Sequence, residues 1–307
     1  MAGERKTRKA FERGKSVIKL LALDLDGTTL NSLGKVPDAN REAIRAAEDA
    51  GVLVTIATGR RFRDAQPVGI NLGLNAPLIT HNGGLLKYAD SEETVHCSLL
   101  TIETSLEVVR VGKAFGGDAL VSTDPHGLGT LLYDRISEDN IPLKKYLRWS
   151  ESLHGIEIGR SGVAHVKSLE NILADHEIVH ISFSGNCEPM RELEATLKDE
   201  FGENITLLAT IYPSLDFTLL DILPPDASKG HGVSRLADLN GLTAENVMCI
   251  GDNYNDLEML EYAGTAVVMG NADAKLRRMP NFYTTLSNDE SGVAVAIERF
   301  ILKQENI

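Results

Sequence analysis

One stretch predicts the fold: Leu20-Leu21-Ala22-Leu23-Asp24-Leu25-Asp26-Gly27-Thr28-Thr29. An apolar run without polar alternation is typical of a strand buried on both faces of a parallel sheet. Ligands of such sheets bind at the carboxyl ends of the strands, which is where Asp24 and Asp26 stand. In an extended chain these side chains point to one side, about 6.6 Å apart at roughly 3.3 Å per residue. Gly27 allows a sharp turn after them, and two such acids can act as nucleophile and general acid–base.

A second apolar strand, predicted over residues 52–57, ends in Thr58-Gly59. The helix-like segment between the two strands makes a βαβ unit, which places Thr58 at the same edge of the sheet as Asp24. A hydroxyl beside a glycine with free backbone N–H groups can hold a phosphoryl oxygen. Each motif alone also fits a simpler interpretation, since an Asp-rich turn or a threonine commonly closes a strand. The residues downstream decide between these interpretations.

Two polar clusters stand in the last third of the chain. Lys229 begins a predicted helix, and an apolar strand over residues 247–251 leads into Asp252-Asn253-Tyr254-Asn255-Asp256. A lone lysine at the start of a helix is normally a solvated charge, and acidic residues after a strand can serve as a helix N-cap. Their functional interpretation requires that the fold bring them next to Asp24.

Residues 85–224 mix strand-like and helical segments, which is the pattern of an inserted α+β domain. His176-Glu177-Ile178-Val179-His180 lies inside this segment and matches the H-E-x-x-H zinc-protease motif. That motif needs a helix, in which positions four apart share a face. The residues that follow alternate like a strand, and there the two histidines would be about 13 Å apart. We therefore disfavour a zinc protease and predict polar surface or strand-edge residues.

Composition restricts the class of protein. The 307 residues are 43% hydrophobic and 24% charged, enough for two globular domains. The apolar runs are shorter than the roughly 18 residues of a membrane span, so no membrane partner is predicted. A net charge of −13 argues against a nucleic-acid partner and means that an anionic substrate needs a local cation. The three scattered cysteines fit a reducing cytoplasm. Residues 1–16 are basic and are predicted to be a fraying tail, with a transit peptide or an anion-binding arm as alternatives.

Together these segments resemble the haloacid dehalogenase-like superfamily of phosphatases. Its four motifs are matched in chain order by Asp24-Leu25-Asp26-Gly27-Thr28, Thr58, Lys229 and Gly251-Asp252. The position of the insertion, between the second and third motifs, is similar to the large α+β cap of the Cof-type branch. The resemblance implies a Rossmann-like, doubly wound parallel sheet over residues 17–84 and 225–307, with the cap at 85–224. Two departures are Thr29, where leucine is more usual, and His81-Asn82-Gly83-Gly84, which varies the customary Asn-Gly-Ala.

The resemblance also implies roles for single residues. Asp24 would attack phosphorus, and Asp26 would act as general acid and then general base. Mg²⁺ would be held by the Asp24 carboxylate, the Asp26 backbone carbonyl and Asp252. Asn255 and Asp256 would orient Asp252 or Lys229. The implied phosphate-binding residues are Gly27, Thr58, Gly59, Asn82, Lys229 and Asn255.

The predicted function is that of a Mg²⁺-dependent phosphatase that hydrolyses a small phosphorylated metabolite, such as a sugar phosphate, through an aspartyl-phosphate. Two alternatives stay open at this stage. A phosphosugar mutase would share the core and differ in what accepts the phosphoryl group. A non-catalytic binding or regulatory module is the alternative of another class.

Overall fold

The computed structural model describes residues 17–154 and 162–303, and the basic segment 1–16 lies outside them. The chain begins with β1 (Leu20–Leu23), α1 (Asp38–Asp49), β2 (Leu53–Ile56), α2 (Phe62–Leu72), β3 (Leu78–Thr80), β4 (Leu85–Lys87) and β5 (Thr94–Cys97). It continues with α3 (Ile102–Ala114), β6 (Asp118–Thr123), β7 (Thr130–Tyr133), α4 (Ile141–His154), β8 (Val163–His165), β9 (Ile178–Gly185), α5 (Cys187–Phe201), β10 (Thr206–Tyr212) and β11 (Phe217–Leu223). It ends with α6 (Lys229–Leu239), β12 (Val247–Gly251), α7 (Leu257–Tyr262), β13 (Thr265–Val268), α8 (Ala274–Arg277), β14 (Phe282–Thr284) and α9 (Gly292–Phe300).

The core is a parallel sheet with the strand order β14-β13-β12-β1-β2. Leu21 and Leu23 of β1 face a cluster that includes α1 and α9, while Leu20 and Ala22 face the cluster of α6 and α7. All four side chains are fully buried, because helices cover both faces of the sheet. The predicted doubly wound α/β core is confirmed.

The hairpin β4–β5 corrects one predicted boundary. Residues 85–97 were assigned above to the inserted domain, yet β4 pairs antiparallel with β3 and with β5. The parallel bridge between Ala57 and Ile79 joins β3 to the end of β2, so this small sheet extends the core. Its Leu85 and Leu86 pack in the two core clusters. The inserted unit of the structure therefore follows β5 and ends at β11.

The inserted unit, here called the cap, is a six-stranded sheet with the order β10-β11-β9-β6-β7-β8. The helices α3 and α5 cover one of its faces, where Phe183 and Leu220 are buried. Because side chains alternate along a strand, the residues between them point to the other face. That open face lies over the core. Among the described helices, none combines the length and apolar character that crossing a bilayer requires.

Buried polar contacts join the cap to the core. Arg61, just before α2, forms an ion pair with Asp64 at 2.9 Å and donates to Oγ of Ser150 on α4 at 2.8 Å. The hydroxyl of Tyr146 on α4 donates to Asp64 at 3.1 Å. Lys87 of β4 donates to carbonyl groups of the cap loop after β6. These contacts place the open face of the cap sheet above the strand ends that carry the predicted acids.

Gly83 packs against the start of α6, and its replacement by alanine is expected to destabilise the protein by about 3 kcal/mol or more. A Cβ atom there would lie 1.9 Å from the carbonyl oxygen of Ser228, and φ is +97°. The matched control is Gly34→Ala, where φ is +70° but no atom lies within 4 Å of the added Cβ. It is expected to lose only about 1 kcal/mol. Urea unfolding of both variants tests this, and equal losses would contradict it.

Candidate active site

Asp24 and Lys229 meet at the carboxyl edge of the core sheet although 205 positions separate them in the chain. Asp24 follows the central strand β1, and Lys229 is the first residue of α6. The Lys229 ammonium donates to Asp24 Oδ1 and to Asp256 Oδ1, both at 2.6 Å. All three side chains are buried. The lysine is therefore an internal counterion and not the solvated charge of the simpler interpretation.

Asp252 follows β12 and is held by two neighbours. Its backbone N–H donates to Oδ2 of Asp256 at 2.9 Å, and the N–H of Asn253 donates to the same oxygen at 3.0 Å. The hydroxyl of Thr28 donates to Asp252 Oδ1 at 3.0 Å. Asp256 thus binds Lys229 with one oxygen and the Asp252 loop with the other, as an orienting residue would.

Burial and the closeness of several charged groups change the pKa values of the site residues. Burial raises the pKa of Asp24 well above its usual value, and the negative charges of Asp256 and Asp252 raise it further, against the attraction of Lys229. Burial and the charge of Asp256 raise the pKa of Asp252 to about 6. Burial alone would lower the pKa of Lys229, but the carboxylates of Asp24 and Asp256 more than offset this and raise it. The site holds more negative charge than its lysine balances.

This donor set fits a hard divalent cation. Oxygens of Asp24, Asp252 and Asp256 all lie within 4.8 Å of one another, and carboxylates are the ligands that Mg²⁺ prefers. Both Asp256 oxygens already accept hydrogen bonds, so Asp24 and Asp252 are the better candidates. The Asp26 carboxylate is turned away toward Arg60, and the use of its backbone carbonyl as a ligand stays a prediction.

Gly27 makes room for this arrangement. Its φ is +79°, and a Cβ atom would lie 2.4 Å from Oδ2 of Asp252. The carbonyl of Gly27 accepts a hydrogen bond from the side chain of Asn271 at 2.8 Å. Asn271 was not among the predicted site residues, although it stands three residues after Val268, the last residue of β13, at the same edge of the sheet. Its position after an apolar strand was the available signal.

Asp26 forms a two-point ion pair with Arg60, whose Nε and Nη2 donate at 2.8 and 2.6 Å. Arg60 stands after β2 and also lies over the ring of Trp149 on α4, at 5.2 Å from its centroid. Arg60 was not among the predicted site residues. Its place directly after Thr58-Gly59 was the signal, but the contact with the cap depends on the tertiary fold.

Thr58, Gly59 and Asn82 form one wall of the cleft. The Thr58 hydroxyl oxygen accepts from the N–H of Arg60 at 3.2 Å, which leaves its hydrogen available. Asn82 is buried, has φ of +51°, and its Oδ1 has no hydrogen-bond partner among the described residues. A Cβ atom on Gly59 would lie 3.0 Å from that oxygen. Asn255 also lines the cleft but is exposed, and among the described residues it makes no hydrogen bond to Asp252 or Lys229.

The cleft between core and cap has a volume of about 700 Å³. Asp24, Asp26, Thr58, Lys229 and Asp252 all line it, together with residues from the open face of the cap sheet. The separated segments therefore converge on one cavity. A group bound there is next to the carboxylates of Asp24 and Asp252, the ammonium of Lys229 and the hydroxyl of Thr58.

The H-E-x-x-H segment does not form the helix that a zinc site requires, since its last three residues begin β9. The expectation of surface or edge residues is wrong for His180, which is buried and lies in β9, inside the cap sheet. Its Nε2 lies 2.9 Å from Oδ1 of Asp221 on β11. His180 and Asp221 both line the cleft.

Comparisons with known proteins agree with this geometry. The family described as haloacid dehalogenase-like hydrolase matches residues 21–297. The 5-amino-6-(5-phospho-D-ribitylamino)uracil phosphatase YwtE of Bacillus subtilis is 30% identical over 94% of this chain and 99% of its own. The putative phosphatase YxeH of the same species is 29% identical, over 92% and 98% of the two chains. A haloacid dehalogenase-like hydrolase from B. subtilis superposes with a TM-score of 0.75 at 26% identity, covering 92% and 100%.

The fold, the site and these matches define the class: the chain belongs to the haloacid dehalogenase-like hydrolase family. Within the family it is a phosphatase-type enzyme of the Cof-type branch, with an α+β cap inserted between the second and third motifs. The resemblance stated from the sequence is thereby confirmed, and the relatives are enzymes, which does not favour the alternative of a non-catalytic module.

Proposed function

We propose that the protein is a Mg²⁺-dependent phosphatase that hydrolyses a small phosphorylated metabolite through an aspartyl-phosphate on Asp24. The convergence of Asp24, Thr58, Lys229 and Asp252 on one cleft carries this proposal. Each of the four residues follows or begins a different element of the core, so chain proximity does not account for their meeting. Their chemical types are those that phosphoryl transfer needs.

In the first step a carboxylate oxygen of Asp24 attacks phosphorus, and the bond from phosphorus to the leaving oxygen breaks. Asp26, protonated and released from the ion pair with Arg60, gives a proton to that oxygen. The free hydroxyl hydrogen of Thr58 donates to a phosphoryl oxygen. Lys229 holds Asp24 in place and neutralises part of the negative charge.

In the second step Asp26 takes a proton from water, which attacks the phosphorus of the aspartyl-phosphate. This releases phosphate and regenerates Asp24. A bound Mg²⁺ would supply positive charge that offsets the repulsion between the Asp24 carboxylate and the phosphate dianion. Asp24 and Asp252 would hold it, with Thr28 and Asp256 orienting Asp252.

The size of the cleft supports a small substrate, since about 700 Å³ suits a metabolite and excludes a macromolecular phosphate from deep entry. The name of the relative YwtE, which specifies a phosphoribitylamino compound, supports a phosphorylated sugar or sugar alcohol. A reducing cytoplasm remains our prediction for its location, and the three cysteines are free. A phosphosugar mutase draws no support from these relatives; release of an isomerised sugar phosphate would favour it.

Chelation is expected to abolish phosphate release from a panel of sugar and polyol phosphates, and added Mg²⁺ to restore it. Mg²⁺ should also raise the melting temperature, because a ligand that binds only the folded state stabilises it. Asp252→Asn removes a proposed ligand and should lose this stabilisation, whereas the exposed, distant Asp199→Asn should keep it. Unchanged melting and activity with and without Mg²⁺ would contradict the proposal.

A further inference from the structure

Several polar side chains of the cap sheet line the cleft, and four of them lie on three adjacent strands: Ser122 of β6, His180 and Ser182 of β9, and Asp221 of β11. We call this set the polar stripe. Each of the four is at most 8% exposed. Leucines of the same sheet also line the cleft, so the stripe lies next to apolar side chains. The stripe lies opposite the core acids across the cleft.

The proton positions within the stripe follow from the pair His180–Asp221. An ionised carboxylate only accepts hydrogen bonds, so the nitrogen that lies 2.9 Å from Asp221 Oδ1, Nε2 of His180, carries a hydrogen. In a neutral imidazole the other nitrogen, Nδ1, is then an acceptor. His81 packs edge-on against the His180 ring at 5.8 Å and holds it in place. Burial lowers the pKa of His81 well below its usual value.

The stripe is incompletely hydrogen-bonded by the protein. Within residues 17–154 and 162–303, no hydrogen bond is made by Nδ1 of His180, Oδ2 of Asp221, or the hydroxyls of Ser122 and Ser182. These atoms remain open to the cleft and are not sealed inside the protein, so a ligand that covers them must pair with them or leave them unpaired at a cost. The hydroxyls of a polyhydroxylated substrate, each of which can donate and accept, can together pair with these groups. Burial raises the pKa of the Tyr212 phenol, and the negative charges of Asp221 and Asp26 raise it further. The phenol is therefore close enough to both carboxylates to interact with them electrostatically.

We propose that His180 is a specificity-determining residue that accepts a hydrogen bond from a hydroxyl of the leaving group, with Asp221 as its positioning residue. This inference rests on the proposed phosphatase function and deepens it. The acceptor on His180 favours phosphate esters of polyhydroxylated alcohols, such as sugars or sugar alcohols, over esters of apolar alcohols and phenols. A site built to pair with hydroxyls rejects a ligand without them, because its own buried polar groups then stay unpaired.

The test compares two esters in each variant: ribitol 5-phosphate, which carries hydroxyls, and 4-nitrophenyl phosphate, which carries none on its leaving group. The amide of His180→Gln can still donate to Asp221 but lacks the acceptor at the Nδ1 position. We expect the ratio of kcat/KM for the first ester to kcat/KM for the second to fall at least tenfold, mostly through KM. Asp221→Asn should lower the ratio less, since it keeps an acceptor for Nε2.

The matched control is Thr218→Val on the same strand as Asp221. Thr218 is buried on the opposite face, and its hydroxyl has no partner among the described residues, so kcat/KM for both esters should be unchanged.

An unchanged ratio of kcat/KM in His180→Gln, which includes equal losses of kcat/KM for both esters, overturns the inference. So does a wild-type enzyme that cleaves only 4-nitrophenyl phosphate. A wild type that cleaves neither ester overturns the proposed function instead. If His180→Gln does not fold, Asp221→Asn provides the ratio test, and an unchanged ratio in that variant overturns the inference.

Discussion

Replacing Asp24 by asparagine is expected to lower the rate of phosphate release by about a thousandfold or more. The substitution keeps the shape of the side chain and an oxygen that can accept from Lys229, now at 2.6 Å from Asp24. The amide oxygen is a poor nucleophile, so the phosphorylated intermediate on residue 24 does not form. A thousandfold loss corresponds to about 4 kcal/mol of activation free energy. Steady-state phosphate release from the best ester of the panel measures it.

Loss of folding would not explain that result, because Asp24→Asn should be at least as stable as the wild type. Burial and the charges of Asp252 and Asp256 disfavour a charged Asp24, so the neutral amide relieves repulsion. Removal of strained catalytic charges often raises stability in this way. Thermal melting provides the check, and Asp199→Asn on the exposed side of α5 is the control for losing one negative charge. An Asp24→Asn protein with more than a tenth of wild-type activity would contradict the mechanism.

The strand-end residues of the core could be predicted because local pattern is sufficient there. An apolar strand followed by a polar residue places that residue at a known edge of the sheet, and parallel strands bring such residues together. Asp24, Thr58 and Asp252 meet in this way. Predicting the position of Lys229 also required recognising that a helix starts at the same edge of the sheet. The placement of Thr58 uses only neighbours in sequence and the handedness of a βαβ unit, whereas the meeting of Lys229 and Asp252 with Asp24 was implied by the family resemblance.

The contacts that cross between distant segments could not be predicted in the same way. The pairing of Arg60 with Asp26 and Trp149 depends on where the cap rests on the core. His180 and Asp221 share a face only because β9 and β11 are adjacent in a sheet whose strand order differs from chain order. The hairpin after β3 was misassigned for a related reason, since pairing partners are not encoded in the strand itself.

Removal of the Lys229 charge by Lys229→Met is expected to destabilise the protein by about 3–5 kcal/mol and to abolish activity. The substitution preserves an unbranched buried chain but leaves the carboxylates of Asp24 and Asp256 without the ammonium that now lies 2.6 Å from each. Breaking a buried ion pair on one side is destabilising because the remaining charge is uncompensated. The double variant Lys229→Met/Asp256→Asn should recover part of the stability, since it removes one of the two uncompensated charges. It should recover none of the activity. Urea unfolding with parallel phosphate-release assays separates the two effects. A Lys229→Met protein of wild-type stability would mean that these acids are neutral in the folded protein, and the charge balance argued for the site would then be wrong.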